Sequence, residues 1–197
     1  AAGRAAARVA LGLPDDRFVV AVMGGSLGSG ALNDAVVGLL DTHADDTGLA
    51  VRHAVGGRFV DTARPATDGS HGVLYQPVGY EPDMPSVYAA ADLFVGRGGA
   101  GTVHEVAVTG VPAILVPWAG AAEDHQTLNV RWLSDAGAAE FLAEADLARL
   151  PQLVAGLRAD PERLDALSAR AAELGEVHRQ GALAALIERV AAAPAVR

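Results

Sequence analysis

A chain of 197 residues, 51% hydrophobic and 20% charged, is long enough for one packed domain and too apolar to stay disordered. Its net charge of −9, from 24 acids and 15 bases with no basic stripe, argues against nucleic acid and an anionic membrane surface as partners. The absence of cysteine excludes disulfides, thiolate metal sites and cysteine nucleophiles, and no apolar run approaches a membrane span.

The chain opens on Ala1-Ala2-Gly3-Arg4, without an initiator methionine or a signal-peptide pattern, and is read as an excised or processed piece. Phe18 to Met23 is apolar throughout and rich in valine, the pattern of a strand buried on both faces. A glycine-rich turn, Gly24 to Gly30, follows it, and Ala31 to Leu40 is predicted as a helix. Leu49 to Val55 is a second strand, Gly56 to Gly72 is loop and turn, and Val73 to Tyr75 is a short strand. A helix over Met84 to Ala91, with Pro85 in its first turn, leads to a strand at Asp92 to Val95. A second glycine-rich turn, Gly96 to Gly101, opens a helix over Thr102 to Thr109 that Gly110 caps. Ala113 to Val116 is a strand, Gln126 to Asp135 a helix, and Ala139 to Leu142 the last strand. A helical tail runs from about Asp146 to Ala193, with breaks near Asp160-Pro161 and Gly175, and either caps the sheet or reaches towards a neighbour. Strand and helix alternating in this way predict one α/β domain, a doubly wound parallel sheet of about six strands.

Ligands of such sheets sit beyond the carboxyl ends of the strands, and here two strand ends carry glycine turns that each open a helix. Helix N-termini offer unpaired N–H groups, and glycine lets them converge on an anion without a Cβ in the way. The first turn is neither a P-loop, because no lysine follows Gly30, nor the dinucleotide fingerprint. The second matches that fingerprint literally through Gly96, Gly98 and Gly101, but it follows a late strand, and the nearest acid, Glu105, is too close. Glu105 suits the hydroxyls of a ribose or, equally, the dipole of its own helix. Thr102 is read as an N-cap or as a hydroxyl donor to phosphate, and Gln126 offers a donor and an acceptor to sugar hydroxyls. His104 and His125 stand alone. No metal-ligand spacing, Asp-x-Asp pair or Gly-x-Ser-x-Gly elbow occurs, so neither a metal nor a cofactor is expected.

Several segments together resemble the C-terminal domain of the MurG family, glycosyltransferase family 28: Gly24-Gly25-Ser26-Leu27-Gly28 with Leu32-Asn33, Tyr80 to Met84, and Arg97 to Glu105. Gly110-Val111-Pro112-Ala113, His125-Gln126 with Asn129, and Ala136 to Ala139 extend the likeness, which is strongest from Gly24 to Ala139. The resemblance implies the donor half of a two-domain GT-B enzyme in cell-wall peptidoglycan synthesis. Such an enzyme moves GlcNAc from UDP-GlcNAc onto lipid I by an inverting, metal-free transfer. It implies that Ser26 touches the donor, that Glu81 meets uracil through its backbone, and that Ala100, Gly101, Thr102, Val103, His104 and Glu105 hold the diphosphate and sugar region. Glu105 would meet the ribose, and Gln126, with His125 beside it, the GlcNAc hydroxyls. It further implies that the acceptor site, the catalytic base and a peripheral contact with the cytoplasmic face of the membrane belong to an N-terminal domain outside this chain. Gly30, Gly98 and Gly101 depart from larger residues common in the family. A UDP-sugar epimerase, a non-catalytic donor-binding subunit of a two-chain transferase and a glycosyltransferase of secondary metabolism remain the rival readings.

Overall fold

The computed structural model describes residues 3–192. Ala1, Ala2 and Ala193, the last residue of the predicted helical tail, lie outside them. The chain begins with a helix that the sequence reading did not foresee, α1 (Arg4–Leu11). Its anchor is Arg8, only 1% exposed, whose guanidinium donates to the carbonyls of Ala90, Pro14, Asp15 and Arg17 and pairs with Asp92 at 2.7 Å. Asp92 also accepts the Val19 N–H at 2.7 Å, so the buried cation is matched by a carboxylate that is itself hydrogen-bonded.

β1 (Phe18–Met23) leads through the first glycine turn into α2 (Gly30–Thr42), and β2 (Leu49–Ala54) follows. A short 3-10 turn at Gly57–Thr62 and the edge strand β3 (Thr67–Asp68) precede β4 (Leu74–Val78). Then come α3 (Met84–Ala90), β5 (Leu93–Arg97), α4 (Ala100–Thr109), β6 (Ala113–Val116), α5 (His125–Ser134) and β7 (Glu140–Phe141). The chain continues with α6 (Leu150–Arg158), α7 (Pro161–Arg179) and α8 (Ala182–Ala192).

The sheet runs β3-β4-β2-β1-β5-β6-β7, and every pairing is parallel except that of β3 with β4. Six parallel strands therefore match the expectation. β3 corrects the reading of residues 56–72 as loop alone: two exposed polar residues carry no strand periodicity. β4 also runs past the predicted Tyr75 to Val78, across Pro77. β3 pairs only with Leu74 and Tyr75, so Pro77 sits on a free edge where its missing N–H breaks no ladder.

Alternate residues of each central strand enter two cores. Val20, Val22, Leu93 and Val95 pack with α2 and α6, while Ala21, Met23, Phe94 and Leu115 pack with α3, α4, α5 and α7. The first two helices of the tail cover the sheet, α6 lying on α2 and α7 on α4, whereas α8 packs mainly on α7 and leaves Leu186, Ile187 and Val190 exposed. The expected break at Asp160-Pro161 is present, with the Asp160 carboxylate capping the Arg163 N–H at 3.0 Å. The expected break at Gly175 is not, for α7 runs straight through it. A Cβ at Gly175 would stand 2.1 Å from the Ala107 carbonyl oxygen, so this glycine permits close contact with α4.

Candidate functional site

Strand order reverses between β1 and β5, since α2 carries the chain to β2 on one side and β5 continues to β6 on the other. Both glycine turns lie at the carboxyl ends of these two strands and face one crevice. In the first turn Gly25 and Gly28 adopt φ of +87° and +74°. Gly28 packs so tightly that a Cβ would lie 2.2 Å from the Val55 carbonyl oxygen, and one on Gly24 would lie 2.7 Å from the Ser29 nitrogen. Ser29 caps α2, its Oγ accepting the Leu32 N–H at 3.3 Å.

The second turn leaves its helix uncapped. The N-cap of α4 is Gly99, which has no side chain to offer, and this corrects the reading of Thr102 as N-cap. Thr102 sits within the first turn instead. The N–H groups of Ala100, Gly101 and Thr102 have no intrahelical partner and carry the positive end of the helix dipole, a setting that suits an anion.

The crevice has two lobes that share Gly25 and Thr102. The smaller, about 200 Å³, holds Ser26, Glu81, Thr102 and Glu105 together with Tyr80 and Tyr88. Tyr88 donates to Glu105 Oε2 at 2.7 Å, which fixes that carboxylate at the lobe's floor. Burial, then the bond to Glu105, raises the Tyr88 phenol well above its ordinary pKa, so it stays a donor. Glu81 turns its carboxylate inward, pairing with Arg52 at 2.7 Å and accepting the Asp83 N–H at 3.2 Å. Its acid is thereby engaged by partners within the chain. The larger lobe, about 410 Å³, joins Gly24, Gly28, Gly99 and Thr102 to Trp118 and Gln126. Gln126 Oε1 accepts the Trp118 N–H at 3.0 Å, which leaves the amide NH2 to donate elsewhere.

The remaining predicted residues are placed differently. Val103 is buried in the core of the α4 face. Ala100 and Gly101 are exposed at the helix start. His104 stands over Trp132 and His178 with ring centroids 5.3 and 5.0 Å away, in an adjoining surface pocket that shares Met84, Tyr88 and Glu105 with the smaller lobe. His125 is exposed, its Nδ1 2.7 Å from the Ala122 carbonyl oxygen, and lines neither lobe. Glu123 and Asp124, just before it, hold φ of 51° and 52°, which bends the loop sharply into α5.

Three groups in the crevice escaped the sequence reading. Arg97, at the end of β5, pairs with Glu144 at 2.9 Å and also donates to Ser29 Oγ and to the Pro117 carbonyl. Glu144 accepts the Ala119 N–H at 2.8 Å. Partial burial pushes its pKa up, but Arg97 and that N–H outweigh it and hold the carboxyl below its usual range. With both oxygens engaged, Glu144 is a poor base. Tyr88 lies in the predicted helix Met84 to Ala91, where no sequence feature assigns it a role. The one available signal was a charged residue, Arg97, ending an otherwise apolar strand. Among the described residues no group of three His, Asp or Glu gathers as a metal-ligand set.

Parallel strands in this order, with helix N-termini converging at the switch point, define an α/β domain of the doubly wound class, whose ligands sit in that crevice. Comparison with known proteins narrows the class. The profile of the glycosyltransferase family 28 C-terminal domain matches residues 19–182, and the chain belongs to that family. A transferase of Nitratidesulfovibrio vulgaris, named UDP-N-acetylglucosamine--N-acetylmuramyl-(pentapeptide) pyrophosphoryl-undecaprenol N-acetylglucosamine transferase, is 44% identical over 163 residues, 80% of this chain and 44% of that protein. Its namesake in Salinibacter ruber is 46% identical over 142 residues, 72% of this chain and 38% of that protein. The crystal structure of Acinetobacter baumannii MurG superposes with a TM-score of 0.69 at 30% identity, covering 88% of this chain and 48% of that one. The chain thus spans less than half the length of these relatives.

Proposed function

We propose that this chain is the donor-binding half of an inverting glycosyltransferase that moves GlcNAc from UDP-GlcNAc to lipid I in peptidoglycan synthesis. The observation that carries this reading is the two-lobed crevice at the β1/β5 switch point. There a lobe of about 200 Å³ lined by Glu105 opens into a lobe of about 410 Å³ that Gly99 and Thr102, at the start of α4, help line. The names of the relatives, which describe N-acetylglucosamine transfer to a lipid-linked acceptor, support the same donor and acceptor classes.

On this reading uracil and ribose occupy the smaller lobe. Glu105, held by Tyr88, accepts hydrogen bonds from the ribose diol, and Ser26 and the Glu81 main chain border the base. The diphosphate lies against the start of α4, between Thr102 and the first glycine turn. GlcNAc extends towards Gln126, whose free amide donates to a sugar hydroxyl. The acceptor hydroxyl attacks the anomeric carbon, and the bond to the diphosphate oxygen breaks with its electron pair leaving on UDP. Preorganised N–H groups at the α4 N-terminus stabilise that developing charge. With Glu105 given to the ribose and Glu144 doubly engaged, the described residues of the crevice leave no carboxylate to act as base. The base, the acceptor site and any membrane contact are assigned to a second domain. No described helix is long and apolar enough to cross a membrane.

Calorimetric titration tests this. UDP-GlcNAc and UDP should bind the chain while NADH does not, and Glu105→Ala should weaken UDP by about tenfold, the worth of one exposed charge-assisted contact. GlcNAc transfer by the chain alone, or NADH binding in the crevice, would overturn the assignment.

A further inference from the structure

A diphosphate leaving group carries at least two negative charges, and helix N-termini supply only partial positive charge. The larger lobe contains two cations, Arg97 and Arg58. Arg97 is spent: Glu144, kept ionised by the contacts described above, cancels its charge. Arg58 differs. It is exposed, and among the described residues no carboxylate pairs with it.

Its position is set by packing. Phe59 lies against the first glycine turn, with ring atoms 3.0 Å and 3.7 Å from where Cβ atoms on Gly28 and Gly30 would stand. The Arg58 guanidinium stacks over that ring, 4.8 Å from its centroid. The stack holds a free, planar, five-donor cation in the lobe that Gly99 and Thr102, at the start of α4, also line.

We propose that Arg58 is a donor-binding residue that clamps the nucleotide diphosphate from the side opposite the α4 N-terminus. This rests on the reading of the crevice as a UDP-sugar site. Arg58 approaches from the 3-10 turn after β2, which Phe59 packs against the first glycine turn, and α4 starts at the second, so the diphosphate is gripped by a full charge on one flank and main-chain amides on the other. Phe59 orients the guanidinium, which lowers the ordering cost of a long side chain.

The test compares wild type, Arg58→Gln and Arg58→Lys in titrations with UDP, uridine and farnesyl diphosphate. Arg58→Gln should bind UDP about tenfold more weakly and uridine unchanged, and Arg58→Lys, which keeps the charge but loses the stacked fork, should fall between Arg58→Gln and wild type. Raising salt from 50 to 500 mM should weaken UDP binding more in wild type than in Arg58→Gln. Equal melting temperatures of the three proteins are expected, since the side chain is exposed. Unchanged UDP affinity in Arg58→Gln overturns the proposal alone. Loss of farnesyl diphosphate binding with UDP intact also overturns it and gives the cation to an acceptor diphosphate. Failure of wild type to bind either UDP or uridine overturns the UDP-sugar reading itself, and this inference with it.

Discussion

At the end of β2 the imidazole of His53 is sealed from solvent at 1% exposure, between Asn33 on α2 and Tyr75 on β4. Asn33 donates its amide to the Val55 carbonyl at 3.0 Å, so its Oδ1 faces His53 Nε2 as an acceptor. The Nε2 therefore carries the hydrogen, and Nδ1 accepts from the Tyr75 hydroxyl at 3.0 Å. Burial lowers the pKa of this ring from 6.5 to about 4. Below pH 6.5 the unfolded chain takes up a proton that the folded chain refuses until about pH 4. Stability present at neutral pH is thus lost as pH falls through that window. Urea unfolding at pH 7 and pH 4.5 should show that His53 accounts for about 2 to 3 kcal/mol of the difference, at 1.36 kcal/mol per unit. In His53→Gln the drop should shrink by that amount, and parallel profiles would rule the effect out. None of this could be read from the sequence, where His53 is one polar residue in an apolar strand. Glu105 was legible because its distance from the glycine turn placed it one helical turn along. Its partner Tyr88 lies 17 positions away and meets it only through the packing of α3 on α4.

Elements whose both faces are buried were the easiest to read. β1, β5 and β6 are continuous apolar runs, and each lies within a residue or two of its predicted bounds. The elements that misled are those whose residues act through a neighbour. α1 is rich in alanine and centred on an arginine, and its place comes from the buried bonds of Arg8 to Asp92 and four carbonyls and from Ala7 packed beside Val19 and Ala90. Gly175 looked like a helix breaker, yet its lack of a side chain serves contact with Ala107. Substituting alanine there improves intrinsic helix propensity by about 1 kcal/mol but forces a methyl against main chain. The clash wins: Gly175→Ala should lower stability by about 1 to 3 kcal/mol, the usual cost of overpacking. A rise in melting temperature would mean that α7 lies farther from α4 than the structure places it. The strain at Glu123 and Asp124 gives a second check. Replacing Glu123 with glycine at φ 51° should raise stability by roughly 1 kcal/mol, read as a higher denaturation midpoint, because glycine adopts that region freely.

Across the whole molecule both faces of the sheet are covered, and α6 and α7 of the tail complete the cover while α8 extends beyond it. One sheet shared by both cores predicts a single cooperative unfolding transition for this chain. It also predicts linkage: at a hundredfold excess over its dissociation constant, UDP should stabilise the fold by about 2.7 kcal/mol, visible as a shift in the melting curve. Two transitions, with only one moved by UDP, would show that the cores fold independently. The doubly wound class and the glycine-lined crevice were legible in the order of motifs. The charge balance inside the crevice was not, because Arg97 and Glu144 are 47 positions apart and meet only after β5 and the segment beyond β7 are in place.

Gly28 and Gly56 press back to back, each in a left-handed conformation. A Cβ on Gly56 would stand 2.5 Å from the Gly28 Cα, and one on Gly28 would stand 2.8 Å from the Gly56 Cα. The loop after β1 and the loop after β2 are therefore one mechanical part, although 28 residues separate them. Anyone transplanting the crevice of a relative onto this scaffold must carry both loops across together, since either alone would arrive with its counterpart missing.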